Sequence, residues 1–157
     1  MRRGKQQLSE KECAAVLQEE KRGVLAVNGD EGYPYAVPMD YVYADGRLRF
    51  HSAAEGHKID AINRDPKASF CVLQQAKLSD DGWSYYWNSV TVFGRVRVVR
   101  EEADRLETLR MLGSKYYPDA LTTENTIAQH AARVLVLYME IEHISGKRVH
   151  EKYTYEQ

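Results

Sequence analysis

Between positions 50 and 58 the chain reads Phe-His-Ser-Ala-Ala-Glu-Gly-His-Lys, a set of residue types suited to holding an anion. Leu48-Arg49-Phe50 is strand-like, and Gly56-His57-Lys58 opens a short helix expected over 59–64. The first N–H groups of a helix lack intrahelical partners and lie at the positive end of its dipole, which favours phosphate. Small residues such as Ala53 and Gly56 let the backbone come close to such a group. Ser52 adds a hydroxyl and Lys58 a point charge. Glu55 opposes the anion unless its side chain turns outward. The same residues also describe an ordinary strand–helix connection, so their chemistry alone leaves both readings open.

Other chemistries find little support. His51, His57, His130, His143 and His150 fall at no metal-ligand spacing, and Cys13 and Cys71 do not complete one. No Gly-x-Gly-x-x-Gly, phosphate-binding Walker loop or Gly-x-Ser-x-Gly elbow occurs. Arg95 and Arg97 with Trp87 resemble a basic strand face that binds single-stranded nucleic acid. With 22 Lys and Arg against 23 Asp and Glu, a net charge of −1, a solvated face is the better reading, and no nucleic-acid partner is expected. Two distant cysteines suit a reducing compartment. No apolar run approaches the ~18 residues of a membrane span, and the N-terminus lacks the apolar core of a signal peptide. A cytoplasmic protein with no membrane partner is expected. The 11 tyrosines are rings of the kind that line interfaces and ligand sites.

The elements that must position the 50–58 stretch follow from patterning. Ser9-Glu10-Lys11-Glu12 is a capping box, with Leu8 placed to staple against Cys13, and a helix should run to about Lys21 and end at Gly23. A strand over 24–27, a turn over 28–32, a second strand over 33–43 and a third over 47–52 form a meander. Pro34 and Pro38 confine the second strand to an edge or a bulge, leaving backbone groups free around Val37-Pro38-Met39. A fourth strand follows over 67–73, then a long polar loop over 74–83. Val90, Val92, Gly94, Val96 and Val98 alternate with polar residues along a fifth strand, entered through Tyr85-Tyr86-Trp87. A helix begins at Glu101-Glu102, packs Leu106, Leu109 and Leu112 inward and stops before Tyr117-Pro118. A short helix over 122–129 and a last strand over 133–142 complete the pattern, and 146–157 is unassigned. The 157 residues, 43% hydrophobic, suit one domain spanning 1–157. Its class is α+β, a barrel-like antiparallel sheet with flanking helices.

The run Phe50-His51-Ser52-Ala53-x-Glu55-Gly56-His57-Lys58-Ile59-Asp60-x-Ile62-x-x-Asp65-Pro66-x-Ala68-Ser69-Phe70 resembles the flavin-binding core of the pyridoxamine 5′-phosphate oxidase-like split-barrel family. Gly32-Tyr33-Pro34-Tyr35-x-Val37-Pro38-Met39 upstream and Ser89-Val90-x-Val92-x-Gly94-x-Val96 downstream are similar to its nitroimidazole-resistance branch. The resemblance covers about 8–112. It implies a six-stranded antiparallel split β-barrel that forms a homodimer and holds FMN at the subunit interface. Lys58 then matches the phosphate-binding lysine, Ser52 a phosphate-contacting hydroxyl, and His57 a position often taken by arginine. Val37, Pro38 and Met39 fall on the strand whose backbone faces the flavin ring. His51 corresponds to the active-site position of the nitroimidazole branch, and Ala53 and Gly56 belong to the cofactor-binding turn. Ser89 falls where the oxidases place a flavin-contacting glutamine from the partner subunit, and Trp87 belongs to the Tyr85-Tyr86-Trp87 aromatics expected near the exposed flavin face. His57 and Ser89 depart from the oxidase pattern, which argues against pyridoxamine phosphate as substrate.

Three functions follow from the resemblance. One is an FMN-dependent reductase of small planar electrophiles such as nitroaromatics, with His51 as the catalytic candidate. Another is an oxidase of a pyridoxamine-phosphate-like amine, which needs a second phosphate clamp. The third is a non-catalytic flavin- or haem-binding module.

Overall fold

The computed structural model describes residues 6–80 and 82–150. The charged start of the chain and the end of the tail, 151–157, lie outside the described residues. Helix α1 (Glu10–Glu19) opens on the expected capping box: the Ser9 hydroxyl accepts from the Glu12 N–H at 3.3 Å, and the Glu12 carboxylate accepts from the Ser9 N–H at 2.8 Å. Cys13, Val16 and Leu17 are buried on one face. Gly23 does not end this helix. It lies inside strand β1 (Arg22–Asn28), where a Cβ would stand 2.4 Å from the Phe70 ring. Close packing, not a helix cap, requires glycine there.

The run expected as one strand over 33–43 is two: β2 (Pro34–Asp40) and β3 (Val42–Ala44). With β4 (Arg47–Ala53), β5 (Lys67–Leu73), β7 (Tyr85–Val98) and β8 (Val134–His150), the sheet has the order β2-β1-β5-β7-β8-β4-β3. Its two ends are therefore consecutive in sequence, joined through Tyr41 alone. One bent strand supplies both edges, and the sheet curls into a barrel split at that bend. The six expected strands are present, with β2–β3 counted as one. A two-residue strand β6 (Lys77–Leu78), pairing with β7, is an addition inside the stretch expected as loop. Both prolines of β2 lie on an edge strand, as proline requires.

Backbone groups at a strand break need partners, and Tyr116 provides them. Its hydroxyl accepts from the Tyr41 N–H at 2.8 Å and donates to the carbonyl of Lys21 or of Tyr41. Tyr116 is the last residue of α3 (Glu102–Tyr116), so this helix pins the bend. The Tyr41 ring is fully buried and meets Phe70 edge-on at 5.0 Å, and Phe70 meets Phe50 at 5.1 Å. These rings, with Leu25, Val72, Val90, Val92, Val96, Leu137 and Met139, fill the barrel.

Strand β8 runs well past the expected 133–142. A bulge is the reason that alternation failed to extend it: Phe93 pairs with His143 and Gly94 with Ile141, leaving Glu142 as an extra residue that shifts the phase of the strand. A Cβ at Gly94 would stand 2.0 Å from the Glu140 carbonyl oxygen, so the bulge and the glycine go together. On α3, Leu112 is buried as expected, while Leu106 and Leu109 are half-buried. Thr108 takes the most buried place and accepts a 3.1 Å bond from the buried Arg49 guanidinium of β4. Helix α4 (Ala120–His130) crosses close to α3 where Gly113 meets Thr123, leaving no room for a side chain. Helix α2 (His57–Arg64) buries Ile59, Ala61 and Ile62.

Candidate functional site

Strand alternation directs Leu48, Phe50 and Ser52 of β4 into the barrel and His51 to the opposite side. There His51 joins Pro38 and Met39 of the β2 edge, Lys58 of α2, and Arg22 and Asp40 around a cavity of about 270 Å³. Arg22 opens β1 and is the register partner of Asp40 at the end of β2; its Nε donates to the Asp40 carboxylate at 2.6 Å. Gly56 precedes α2 with φ 129°, a conformation other residues rarely adopt, and no side chain caps the helix. The first N–H groups of α2 are thus left to water or a ligand. Among the described residues Lys58 forms no ion pair, so its charge is available to an anion.

A second cavity, of about 390 Å³, shares Asp40 and His51 with the first. Its other walls are Leu109, Leu112, Gly113, Tyr116 and Tyr117 from α3 and its end, Thr126, Ile127 and His130 from α4, then Ala131 and Val134. His51 therefore stands where a cationic, edge-lined cavity meets a largely apolar one.

Of the residues marked by sequence, Pro38, Met39, His51 and Lys58 come together around one cavity. Val37 packs toward the core and can meet a ligand only through its backbone. Ser52 is 5% exposed and its hydroxyl has no hydrogen-bond partner; such an orphaned group calls for a ligand or water, but Ser52 does not line the cavity. Ala53 and Gly56 are exposed, two residues from His51 and Lys58 respectively, and line neither cavity. His57 is directed elsewhere. Its Nδ1 is 3.3 Å from an Asp30 carboxylate oxygen, and its ring stands edge-on to Tyr35 at 4.5 Å. Arg64, at the other end of α2, joins the same carboxylate at 3.0 Å, so the helix is tied to the β1–β2 turn through its first and last residues. Trp87 and Ser89 lie on β7, paired with Val149 and Lys147 of β8 and away from both cavities.

Sequence reading missed Arg22, Asp40 and the whole α3–α4 wall. Arg22 and Asp40 meet only through strand register, and the helical residues carry no motif beyond core-like spacing. The basic pair on β7 is neutralised: Arg95 bonds Glu142 at 2.8 Å and Arg97 bonds Glu140 at 3.2 Å. Among the described residues no group of three or more His, Cys, Asp or Glu is placed to hold a metal, and no helix is long and apolar enough to cross a membrane.

The fold and the edge-lined cavity define a split-barrel protein, and the chain belongs to the pyridoxamine 5′-phosphate oxidase family, whose model matches residues 9–148. A comparison with curated proteins found no match. Among solved structures, a candidate 5-nitroimidazole antibiotic resistance protein from Bacteroides thetaiotaomicron superposes with TM-score 0.79 at 20% identity, covering 92% of this chain and 87% of that one. A FAD-binding protein from Mesorhizobium loti is 27% identical, with TM-score 0.68 and coverage of 91% and 96%. A FAD- and haem-binding protein from Mycobacterium smegmatis is 21% identical, with TM-score 0.77 and coverage of 97% and 77%. The last strand, where the sequence resemblance faded, belongs to the matched region.

Proposed function

We propose that the chain binds FMN in the cavity lined by Arg22, Pro38, Met39, Asp40, His51 and Lys58 and reduces small planar electrophiles, nitroaromatics such as 5-nitroimidazoles among them. The observation that carries this is the convergence on one cavity of an unpaired Lys58 at an uncapped helix start and the free edge of β2 beside His51. The residues fit the group: Lys58 and the first N–H groups of α2 hold the phosphate, and the free edge of β2 along Val37, Pro38 and Met39 offers a flat ring those backbone groups that do not pair with β1, Pro38 having no N–H to give. The flavin-binding names of structural neighbours agree with a flavin.

Bound reduced flavin supplies two electrons to the electrophile, and the protein supplies position and electrostatics. His51 reaches from β4 to the junction of the two cavities, where its imidazole can donate a hydrogen bond to a substrate oxygen. Asp40 is held by Arg22 and keeps the guanidinium at the rim. A pyridoxamine-phosphate oxidase needs a further cationic clamp for its substrate, and the cavity beyond His51 has no lysine or arginine in its walls.

The active unit in this proposal is a homodimer. On the outer sheet face, register aligns Ala36, Ala26, Ser69, Phe93 and His143 in a row of mostly small or apolar residues. Val24, Leu73 and Phe93 are exposed around it. A second copy covering this face would also give Trp87 and Ser89 a role that they do not have at their own subunit's cavity.

The test is to release the chromophore from purified protein by denaturation and identify it by chromatography, then offer the reduced holoprotein a 5-nitroimidazole and pyridoxamine phosphate under anaerobic conditions. FMN and nitro reduction are expected. Haem, or oxidation of the amine alone, would overturn the reading.

A further inference from the structure

We infer that the chamber between α3 and α4 is a specificity pocket for uncharged aromatic compounds with an apolar substituent, and that it turns away carboxylate- and phosphate-bearing ones. This rests on the proposed flavin reductase reading for its place in a reaction, but on the chamber itself for its selectivity. The chamber shares Asp40 and His51 with the Lys58 cavity, so a ring lying against His51 extends its substituent directly between the helices. Leu109, Leu112, Ile127, Ala131 and Val134 supply apolar wall. Its volume of about 390 Å³ lies at the small end of ligand sites and suits one substituted ring.

Charge decides the class. No lysine or arginine lines the chamber, and its carboxylate, Asp40, already has Arg22 at 2.6 Å. An anionic ligand would lose its hydration and meet a carboxylate, with only the His51 and His130 imidazoles and no lysine or arginine to offset its charge, which is costly. A neutral ring loses little. The helices are in close contact where Gly113 sits against Thr123 with no space for a side chain.

Equilibrium dialysis of the flavin-loaded protein against 4-nitrotoluene and 4-nitrobenzoate tests the assignment without turnover. The neutral compound should bind at least about tenfold more tightly, as expected when one of two ligands must bury an uncompensated charge. Ile127→Trp, filling the chamber from α4, should weaken 4-nitrotoluene about tenfold or more with flavin content unchanged. Leu109→Ala, which enlarges it, should shift preference toward 4-tert-butylnitrobenzene by threefold or more, and serves if the tryptophan variant does not fold. Equal affinity for neutral and anionic compounds, or binding indifferent to both substitutions, would overturn the inference. If selectivity follows expectation but no bound compound is ever reduced, the reductase reading fails and the pocket stands. If nitroimidazole is reduced without this selectivity, the pocket fails alone.

Discussion

His51 and Ser52 are neighbours on β4 that face opposite ways, and the difference separates what each can do. His51 stands at the junction of the two cavities, so His51→Ala should leave flavin content nearly unchanged while lowering nitro reduction about tenfold or more, the loss expected when a positioned hydrogen-bond donor is removed. Activity per bound flavin measured beside flavin content checks this, and equal activity per flavin would remove His51 from the chemistry. Ser52 faces the barrel with an unpartnered hydroxyl. Ser52→Ala should therefore be close to neutral for stability in the absence of cofactor, since it deletes a group that has no bond to lose. Thermal unfolding of the apo-protein measures that directly.

At the scale of elements, the bend at Tyr41 depends on the last residue of α3. Tyr116→Phe removes the acceptor for the Tyr41 N–H and should cost about 1–3 kcal/mol, the cost of orphaning a half-buried donor; denaturant unfolding reads it out. Burial, ahead of the other influences, pushes the Tyr116 phenol up to about 12. Its folded value thus lies above the unfolded one near ~10, so its contribution is intact below pH ~10 and is lost as pH rises toward 12. Tyr41 is shifted in the same direction, again chiefly by burial. Stability should fall across that window in the wild type, and less steeply in Tyr116→Phe.

Much of this element structure was legible because it is local. The capping box at Ser9, the alternation of β7 and the prolines of β2 are each written in consecutive residues. What stayed hidden depends on distant partners. Gly23 looks like a helix stop until Phe70 packs on it, β8 loses its alternation at a bulge set by Gly94, and the strand over 33–43 breaks because Tyr116, 75 residues beyond Tyr41, satisfies the break. The site divides in the same way. Lys58 and His51 belong to one short run, whereas Arg22, Asp40, Leu109 and Ile127 converge only through register and helix crossing.

For the whole molecule, the outer face around Val24, Leu73 and Phe93 is the surface on which the proposed dimer rests. Phe93→Asp should shift sedimentation from dimer to monomer and lower flavin retention with it, since the far ends of β7 would no longer reach a partner's cavity. A monomer holding FMN at full occupancy would contradict that arrangement. The claim on which the rest depends is that a phosphate lies at Lys58. Fluorescence titration of apo-protein with FMN and with riboflavin, in wild type and Lys58→Ala, tests it most directly. Loss of a charge-assisted bond of about 1.5–3 kcal/mol should weaken FMN roughly ten- to a hundredfold while riboflavin binds both proteins alike. An FMN-to-riboflavin preference unchanged by Lys58→Ala would contradict the placement of the cofactor.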